Sequence, residues 1–358
     1  MKIAIILGTR PEIIKLAPVI KELGRKQVDS FILHTGQHYS YHLDKIFFEQ
    51  LELPQPRYNL DAGSGSHAEE TARMLVGIEK VLREEKPDVL LVLGDTNSVL
   101  AGGLAAAKLN IKVGHIEAGL RSYDRTMPEE INRILADHLS TYLFTPTSKA
   151  KEILLGEGIK EEDIFITGNT IVDAVYENIK IARGKQDILD TLHLKPKEYL
   201  LVTLHRQENV DSRDRFAAIL EGIERVSAAY SIPAVYPIHP RSRKMITKFG
   251  LEPKSIVLVE PVDFLSFLQL ESNARLVLTD SGGVQEETCI LRVPCVTLRD
   301  NTERPETIEV GANALAGASP ENILECSKIM LARKNDWENP FGDGKASGRI
   351  VDILEEKL

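Results

Sequence analysis

The chain alternates short apolar runs with longer stretches in which apolar residues recur at helical spacing. The runs of the first half are IAIILG (3–8), SFILHT (30–35), VLLVLG (89–94), KVGHIE (112–117) and YLFTP (142–146). After a polar stretch at 180–197 a second series begins: YLLVTLH (199–205), PAVYPIH (233–239), SIVLVE (255–260), ARLVLTD (274–280) and PCVTL (294–298). Runs this short and this continuously apolar suit strands buried on both faces. Helical patterns follow most of them, so the sequence predicts α/β architecture with parallel sheets covered on both sides. The first helix is predicted over 10–26, with Pro11 suited to a first helical position and Glu12 complementing the helix dipole. Two series imply two doubly wound, Rossmann-like domains facing across a cleft. A chain of 358 residues also exceeds the size at which one core stops growing. The boundary is expected within 170–197, and is placed at 175/176.

Composition removes some functions. The chain carries 44 basic and 53 acidic residues, a net charge of -9, which argues against a broad nucleic-acid face. A few local Arg and Lys residues could still hold a small anion. No apolar run approaches the ~18–20 residues of a membrane span. The opening MKIAIILGTRPEIIK is expected to be fold rather than targeting signal, because Arg10, Pro11 and Glu12 stand where a cleavage site would be. Cys289, Cys295 and Cys326 are odd in number and form no CxxC pair, consistent with reduced thiols and a cytoplasmic protein.

In open α/β sheets, ligands sit beyond the carboxyl ends of the strands. The residues there are GTRPEIIK, GDTNS and EAGLRS in the first half, and HRQEN, IHPRS and DSGGVQEE in the second. Helix capping alone would account for Asp95 and Ser281, but not for the Arg, His and Glu beside them. Gly282 and Gly283 open a helix after a strand, where backbone N–H groups can hold a diphosphate. Glu286 and Glu287 follow one turn further in. A carboxylate there can accept hydrogen bonds from a ribose diol; the alternative is an acid that complements the helix dipole.

No GxxxxGK[ST] run is present, and DAGSGSHAEE (61–70) follows no convincing strand, so neither an ordinary ATPase loop nor NAD is implied. His34, His38 and His42 are spaced by four, but Gly36 interrupts any helix through them and no other ligand completes a metal set. Neither cofactor nor metal is expected.

The strings GTRPEIIKLAP, GDTNSVLAG, HIEAGLRS, MPEEINR, FITGNTIVDA, TLHRQEN, LTDSGGVQEE, LRDNTERPE and NPFGDGK, in order from residue 8 to about 345, resemble the motifs of non-hydrolysing UDP-N-acetylglucosamine 2-epimerases. The resemblance implies a glycosyltransferase-B fold, with domains at 1–175 and 176–344 and a last helix (345–358) that crosses back to the first. It implies interconversion of UDP-N-acetylglucosamine and UDP-N-acetylmannosamine, a homodimer, and a UDP-sugar as the partner. Arg10 and Lys15 would lie near the diphosphate and sugar. Asp95, Glu117 and Glu129 would be the sugar-side acids and bases, and His205 would help UDP leave. Ser281, Gly282 and Gly283 would hold phosphate, Glu287 the ribose, Phe267 the uracil, and Arg304 the nucleotide. For Lys15 the structural alternative is a solvated helix residue, and for Glu129 a capping residue. A second, activating site would involve Gln37, Arg73, Arg206 and His239. Its usual segment, roughly QHR-x-MLD, reads QHYSYHLD here (37–44), with Tyr39 in place of arginine and one residue inserted. A hydrolysing 2-epimerase is the second reading; a glycosyltransferase or UDP-sugar sensor is the third.

Overall fold

The structure, a computed structural model, describes residues 1–36 and 41–358. It divides into two compact units, Met1–Ala174 with Phe341–Leu358, and Val175–Pro340. The divisions fall at 174/175 and 340/341, where the sequence reading had put 175/176 and 344/345. The return to the first unit begins at Phe341 because that side chain is buried and its carbonyl accepts from Asn169 N–H at 2.8 Å. Gly342 (φ +113°) and Gly344 (φ +78°) then turn the chain through conformations that L side chains resist. Asp173 receives the final helix, Ala346–Lys357, by accepting from Ser347 N–H at 2.9 Å and Ser347 Oγ at 2.6 Å.

The first unit holds a seven-stranded sheet: β1 (Lys2–Leu7), β2 (Asp29–His34), β3 (Tyr58–Asn59), β4 (Val89–Leu93), β5 (Lys112–Ile116), β6 (Tyr142–Thr145) and β7 (Ile164–Ile166), in the order β3-β2-β1-β4-β5-β6-β7. All its pairings are parallel. The second holds β8 (Leu200–Thr203), β9 (Ala234–Pro237), β10 (Ile256–Val259), β11 (Leu276–Thr279), β12 (Cys295–Thr297) and β13 (Asn313–Leu315), in the order β10-β9-β8-β11-β12-β13, again all parallel. The central strands are buried throughout, as β1 and β4 show, because helices cover both faces. Each sheet reverses its winding once, between β1 and β4 and between β8 and β11. Loops diverge at such a switch point and leave a crevice at the carboxyl ends of its two strands. Those ends are where Arg10, Asp95, His205 and Ser281–Gly283 stand. No helix among the described residues is long and apolar enough to cross a membrane.

Candidate active site

In the first unit the turns after β1, β4 and β5 are tied together by buried charges. Glu12 is almost fully buried and accepts from Gly8 N–H (2.8 Å), Thr9 N–H (2.8 Å), Thr9 Oγ1 (2.9 Å) and Thr96 Oγ1 (2.7 Å). Burial pushes this carboxyl above its ordinary range in spite of those bonds. Glu12 is therefore more than a complement to the helix dipole: it joins the β1 turn to the β4 turn. Lys15, one helical turn further on, is buried and donates to Glu117 Oε1 at 2.5 Å, so the solvated-residue alternative fails. Glu117 adopts φ +68°, a left-handed conformation that costs a non-glycine residue about 1 kcal/mol or more. Gly94, directly after β4, is also left-handed, and a Cβ there would stand 3.6 Å from Glu117 Oε2.

Asp95 pairs with the Arg133 guanidinium, whose other nitrogen donates to Glu130 at 2.5 Å. Asp95 caps no helix. The cap of the Asn97–Lys108 helix is Thr96, whose hydroxyl accepts from Val99 N–H. Glu129 is exposed in the first turn of the Pro128–Leu139 helix and joins no ion pair among the described residues. Its neighbour Glu130 is the buried acid, accepting from Ser122 N–H, Ser122 Oγ and Tyr123 N–H, each at 2.9 Å, besides Arg133. Those bonds hold its carboxyl below the usual range against the cost of burial. Arg10 is exposed, with its guanidinium 5.8 Å from the Phe47 ring centre.

In the second unit, Asp280 organises the crevice. It is fully buried at the end of β11 and accepts from His205 N–H (3.0 Å), Arg206 N–H (3.0 Å) and Asn209 Nδ2 (3.2 Å). The His205 ring faces it through Nδ1 at 3.2 Å. Burial raises the Asp280 carboxyl, but His205 and the two amides outweigh it and hold it below its ordinary value. Nδ1 thus faces the acid, and His205, with a half-exposed side chain, stands 5.9 Å from the His239 ring. His239 caps its own helix by accepting from Arg241 N–H.

Ser281 occupies the N-cap position of the Gly282–Leu291 helix, yet its hydroxyl makes no capping bond. Gly282 and Gly283 are not required by backbone conformation, since neither has positive φ. Nor are they required by packing: a Cβ on Gly282 would meet only Glu303 Oε2, at 3.8 Å, and one on Gly283 only Ser281 Oγ, at 3.9 Å. What the glycines leave is open space above a helix N-terminus, which suits a bound anion. Guanidinium groups gather at the same turn. Arg299 grips Glu303 through two bonds (2.8 and 2.9 Å), and Arg206 and Arg304 also act on this carboxyl. Burial opposes its ionisation, but the guanidiniums draw it down to about 2. Three cations thus lie beside the glycines, with Glu303, Glu208 and Glu286 among their counter-charges.

The two acids one turn further in have different roles. Glu286 is wholly buried and accepts from Arg304 Nε at 2.6 Å, so it is a support for Arg304 rather than a sugar ligand. Glu287 is buried next to Glu271, which is wholly enclosed. No donor among the described residues reaches either Glu271 oxygen, and the Glu287 carboxyl is its charged neighbour. Burial and the Glu287 charge push the Glu271 carboxyl well up. Phe267 lies partly buried on the cluster that holds Val262, Leu270 and Val284.

Arg73 holds the 61–66 loop, donating to Ala62 O (2.7 Å) and Ser64 O (3.2 Å). Gln37 and His38 lie outside the described residues, as do Tyr39 and the side chain of His42. Among the described residues no group of His, Cys, Asp and Glu could hold a metal ion. Sequence reasoning missed Arg133, Glu130, Asp137 and Glu271. The first two carried a signal, since they stand three apart on a helix and can pair.

Comparison with known proteins shows the family. The family model for UDP-N-acetylglucosamine 2-epimerase matches residues 21–355. The chain is 56% identical to the UDP-N-acetylglucosamine 2-epimerase of Methanocaldococcus jannaschii, covering 99% of both chains. It is also 56% identical to that of Methanococcus maripaludis, covering 99% of this chain and 98% of the relative. A crystal structure of the Methanocaldococcus jannaschii enzyme in complex with UDP-GlcNAc and UDP superposes with a TM-score of 0.91, covering 99% of this chain and all of the other. The fold is of the glycosyltransferase-B type, and the chain belongs to the UDP-N-acetylglucosamine 2-epimerase family.

Proposed function

We propose that the protein interconverts UDP-N-acetylglucosamine and UDP-N-acetylmannosamine without releasing free sugar. The proton on sugar carbon 2 is not next to a carbonyl, so direct removal is costly. The cheaper route breaks the bond from the anomeric carbon to the diphosphate oxygen, whose electron pair leaves with UDP. Carbon 2 then gives its proton to a carboxylate, and its electron pair forms the carbon 1–carbon 2 double bond of a glycal. Protonation from the other face and return of the UDP oxygen to carbon 1 complete the inversion.

Each unit offers what one half of this chemistry needs. The second would hold UDP: Ser281, Gly282, Gly283 and Arg304 at the diphosphate, Glu287 at the ribose and Phe267 at the uracil. His205, backed by Asp280, would stabilise the leaving diphosphate. The first would act on the sugar through Asp95, Glu117 and Glu129, with Arg10 and Lys15 as cations beside them. The observation that carries this reading is Glu117. A carboxylate fixed in a strained conformation and paired with a buried lysine is expensive to maintain, and such strain gathers at working sites. We take the working assembly to be a homodimer.

The test is turnover of UDP-N-acetylglucosamine in heavy water without added cofactor. Deuterium should appear at carbon 2 of the product, with the sugar still joined to UDP. Retention of the original hydrogen would exclude the glycal route. Accumulation of free N-acetylmannosamine with UDP would instead establish the hydrolysing reaction.

A further inference from the structure

His115 lies fully buried in β5, two residues before Glu117, and has no place in the chemistry above. Its ring has two nitrogens and both face acceptors. Nδ1 is 2.7 Å from Asp137 Oδ1, and Nε2 is 2.8 Å from the carbonyl oxygen of Gly94. A neutral imidazole carries one N–H and one lone pair, so it would point that lone pair at an oxygen. Only the doubly protonated ring satisfies both contacts. Asp137 cannot supply the missing proton. Its Oδ2 accepts from Arg121 Nη1 at 2.7 Å and from Gly119 N–H at 3.2 Å, and a buried guanidinium takes a carboxylate as its partner. Arg121 is balanced in turn by Glu157, through bonds of 2.8 and 2.6 Å.

The groups facing the ring come from every element around it. The Pro128–Leu139 helix supplies Asp137, the turn after β4 supplies the Gly94 carbonyl, and the segment after β5 supplies Glu117 and Arg121. The pairing strand β6 presents only Tyr142, Leu143 and Phe144. In the Asn97–Lys108 helix the one titratable residue is Lys108, at the end away from Gly94. Burial alone would discharge the ring. The Asp137 charge, the two hydrogen bonds and attraction to Glu117 outweigh it and raise His115 above its ordinary value.

This cation reaches both turns that present sugar-side carboxylates. Gly94 directly precedes Asp95, and its carbonyl is bound by His115. Gly119 stands two residues after Glu117, and its amide is bound by Asp137, the partner of His115. We infer that His115 is a permanently protonated positioning residue, which locks the turn carrying Asp95 to the turn carrying Glu117 and keeps a buried positive charge beneath them. The inference rests on the reading that these two carboxylates work on the sugar, but the charge state itself does not.

Two measurements test it separately. Nitrogen-15 spectra of histidine-labelled protein at pH 8.5 should show a ring with both nitrogens protonated. That signal should persist in His205→Asn and in His138→Gln, which replace two other histidines that face carboxylates among the described residues. Loss of every such signal at pH 8.5 overturns the assignment, whatever the reaction. In His115→Asn, whose amide cannot reach both acceptors, kcat for epimerisation should fall at least tenfold while the dissociation constant for UDP stays within twofold. An unchanged kcat, or equal losses in kcat and UDP affinity, overturns the positioning role; a variant that fails to fold leaves the spectra to decide. Absence of epimerisation in the parent protein would refute the proposed function while leaving the imidazolium measurement standing.

Discussion

Replacing Asp280 by asparagine tests whether its contacts to His205 matter for turnover. The change is nearly isosteric, so its effect can be worked from contacts. The carboxylate serves three main donors, His205 N–H, Arg206 N–H and Asn209 Nδ2, and faces His205 Nδ1. An asparagine keeps the first three by placing its carbonyl at the Oδ2 position. Its NH2 group then points at His205 Nδ1, which must become an acceptor. The tautomer reverses, and the charge that supports an imidazolium is gone. Bonds to a charged acceptor contribute roughly 1 kcal/mol more than bonds to a neutral one, so three weakened bonds cost about 3 kcal/mol. Relief of carboxylate burial returns part of this, leaving a net loss of about 1–2 kcal/mol. That corresponds to a Tm lower by roughly 2–8 °C for a unit of this size.

If His205 helps UDP leave as a cation held by Asp280, kcat in Asp280→Asn should fall by about 10- to 100-fold, or ~1.4–2.7 kcal/mol. The assay is initial velocity for the single variants Asp280→Asn and His205→Asn and for the double variant. Because Asp280 acts through His205, the double variant should be no slower than His205→Asn. Losses that multiply, or a single Asp280→Asn variant with parental kcat, would refute the reasoning. A second signature comes from pH. The Asp280 carboxyl is depressed, so its contribution is present above ~3.9 and is lost as pH falls through the folded value. Asp280→Asn should lack that part of the acid-side loss of stability.

Other substitutions probe single points. Gly282→Ala should preserve or raise stability, by about 0.4–1 kcal/mol, because its Cβ enters open space; UDP affinity measured by calorimetry should nevertheless drop, and unchanged affinity would remove the diphosphate from this turn. Glu271 is raised by burial and by Glu287, so its pair loses stability as pH climbs from ~4.3 through the folded value. Glu271→Gln keeps a donor toward Glu287 without that loss, and its melting temperature should exceed the parent's at pH 8 but not at pH 4. Glu129→Gln, at an exposed site, should alter stability by less than ~0.5 kcal/mol, and a parental rate in this variant would exclude Glu129 from proton transfer. Turnover begun from pure UDP-N-acetylmannosamine should show no lag, since tyrosine at position 39 cannot replace a guanidinium at phosphate; silence until UDP-N-acetylglucosamine is added would show a working second site.

What the sequence disclosed follows the physics of each feature. Central strands were legible because burial on both faces demands uninterrupted apolar residues, as in VLLVLG. The strands that escaped notice, β3, β7 and β13, have two or three residues each and all lie at sheet edges. Crevice residues were legible because topology puts them directly after strands, so Arg10, Asp95, Glu117, His205 and Ser281 needed only a strand and an offset. Their supports sit on helices, where a charge ordinarily means a solvated face. Arg133 and Asp137 read as such a face until packing shows both buried.

The same limit explains the two acid pairs. Adjacent helical residues point about 100° apart, so of two neighbouring glutamates at most one faces a given partner. In Glu129–Glu130 the second residue turns inward, because Arg133 lies three positions on and Ser122 and Tyr123 offer their amides. In Glu286–Glu287 the first meets Arg304 and the second meets Glu271. Sequence shows that acid is present at each place; the partner selects which residue is structural and which is left for a ligand. By that logic the candidate ribose ligand is Glu287, whose neighbour is an acid that burial and the Glu287 charge hold well above its ordinary range, not a guanidinium that would neutralise it.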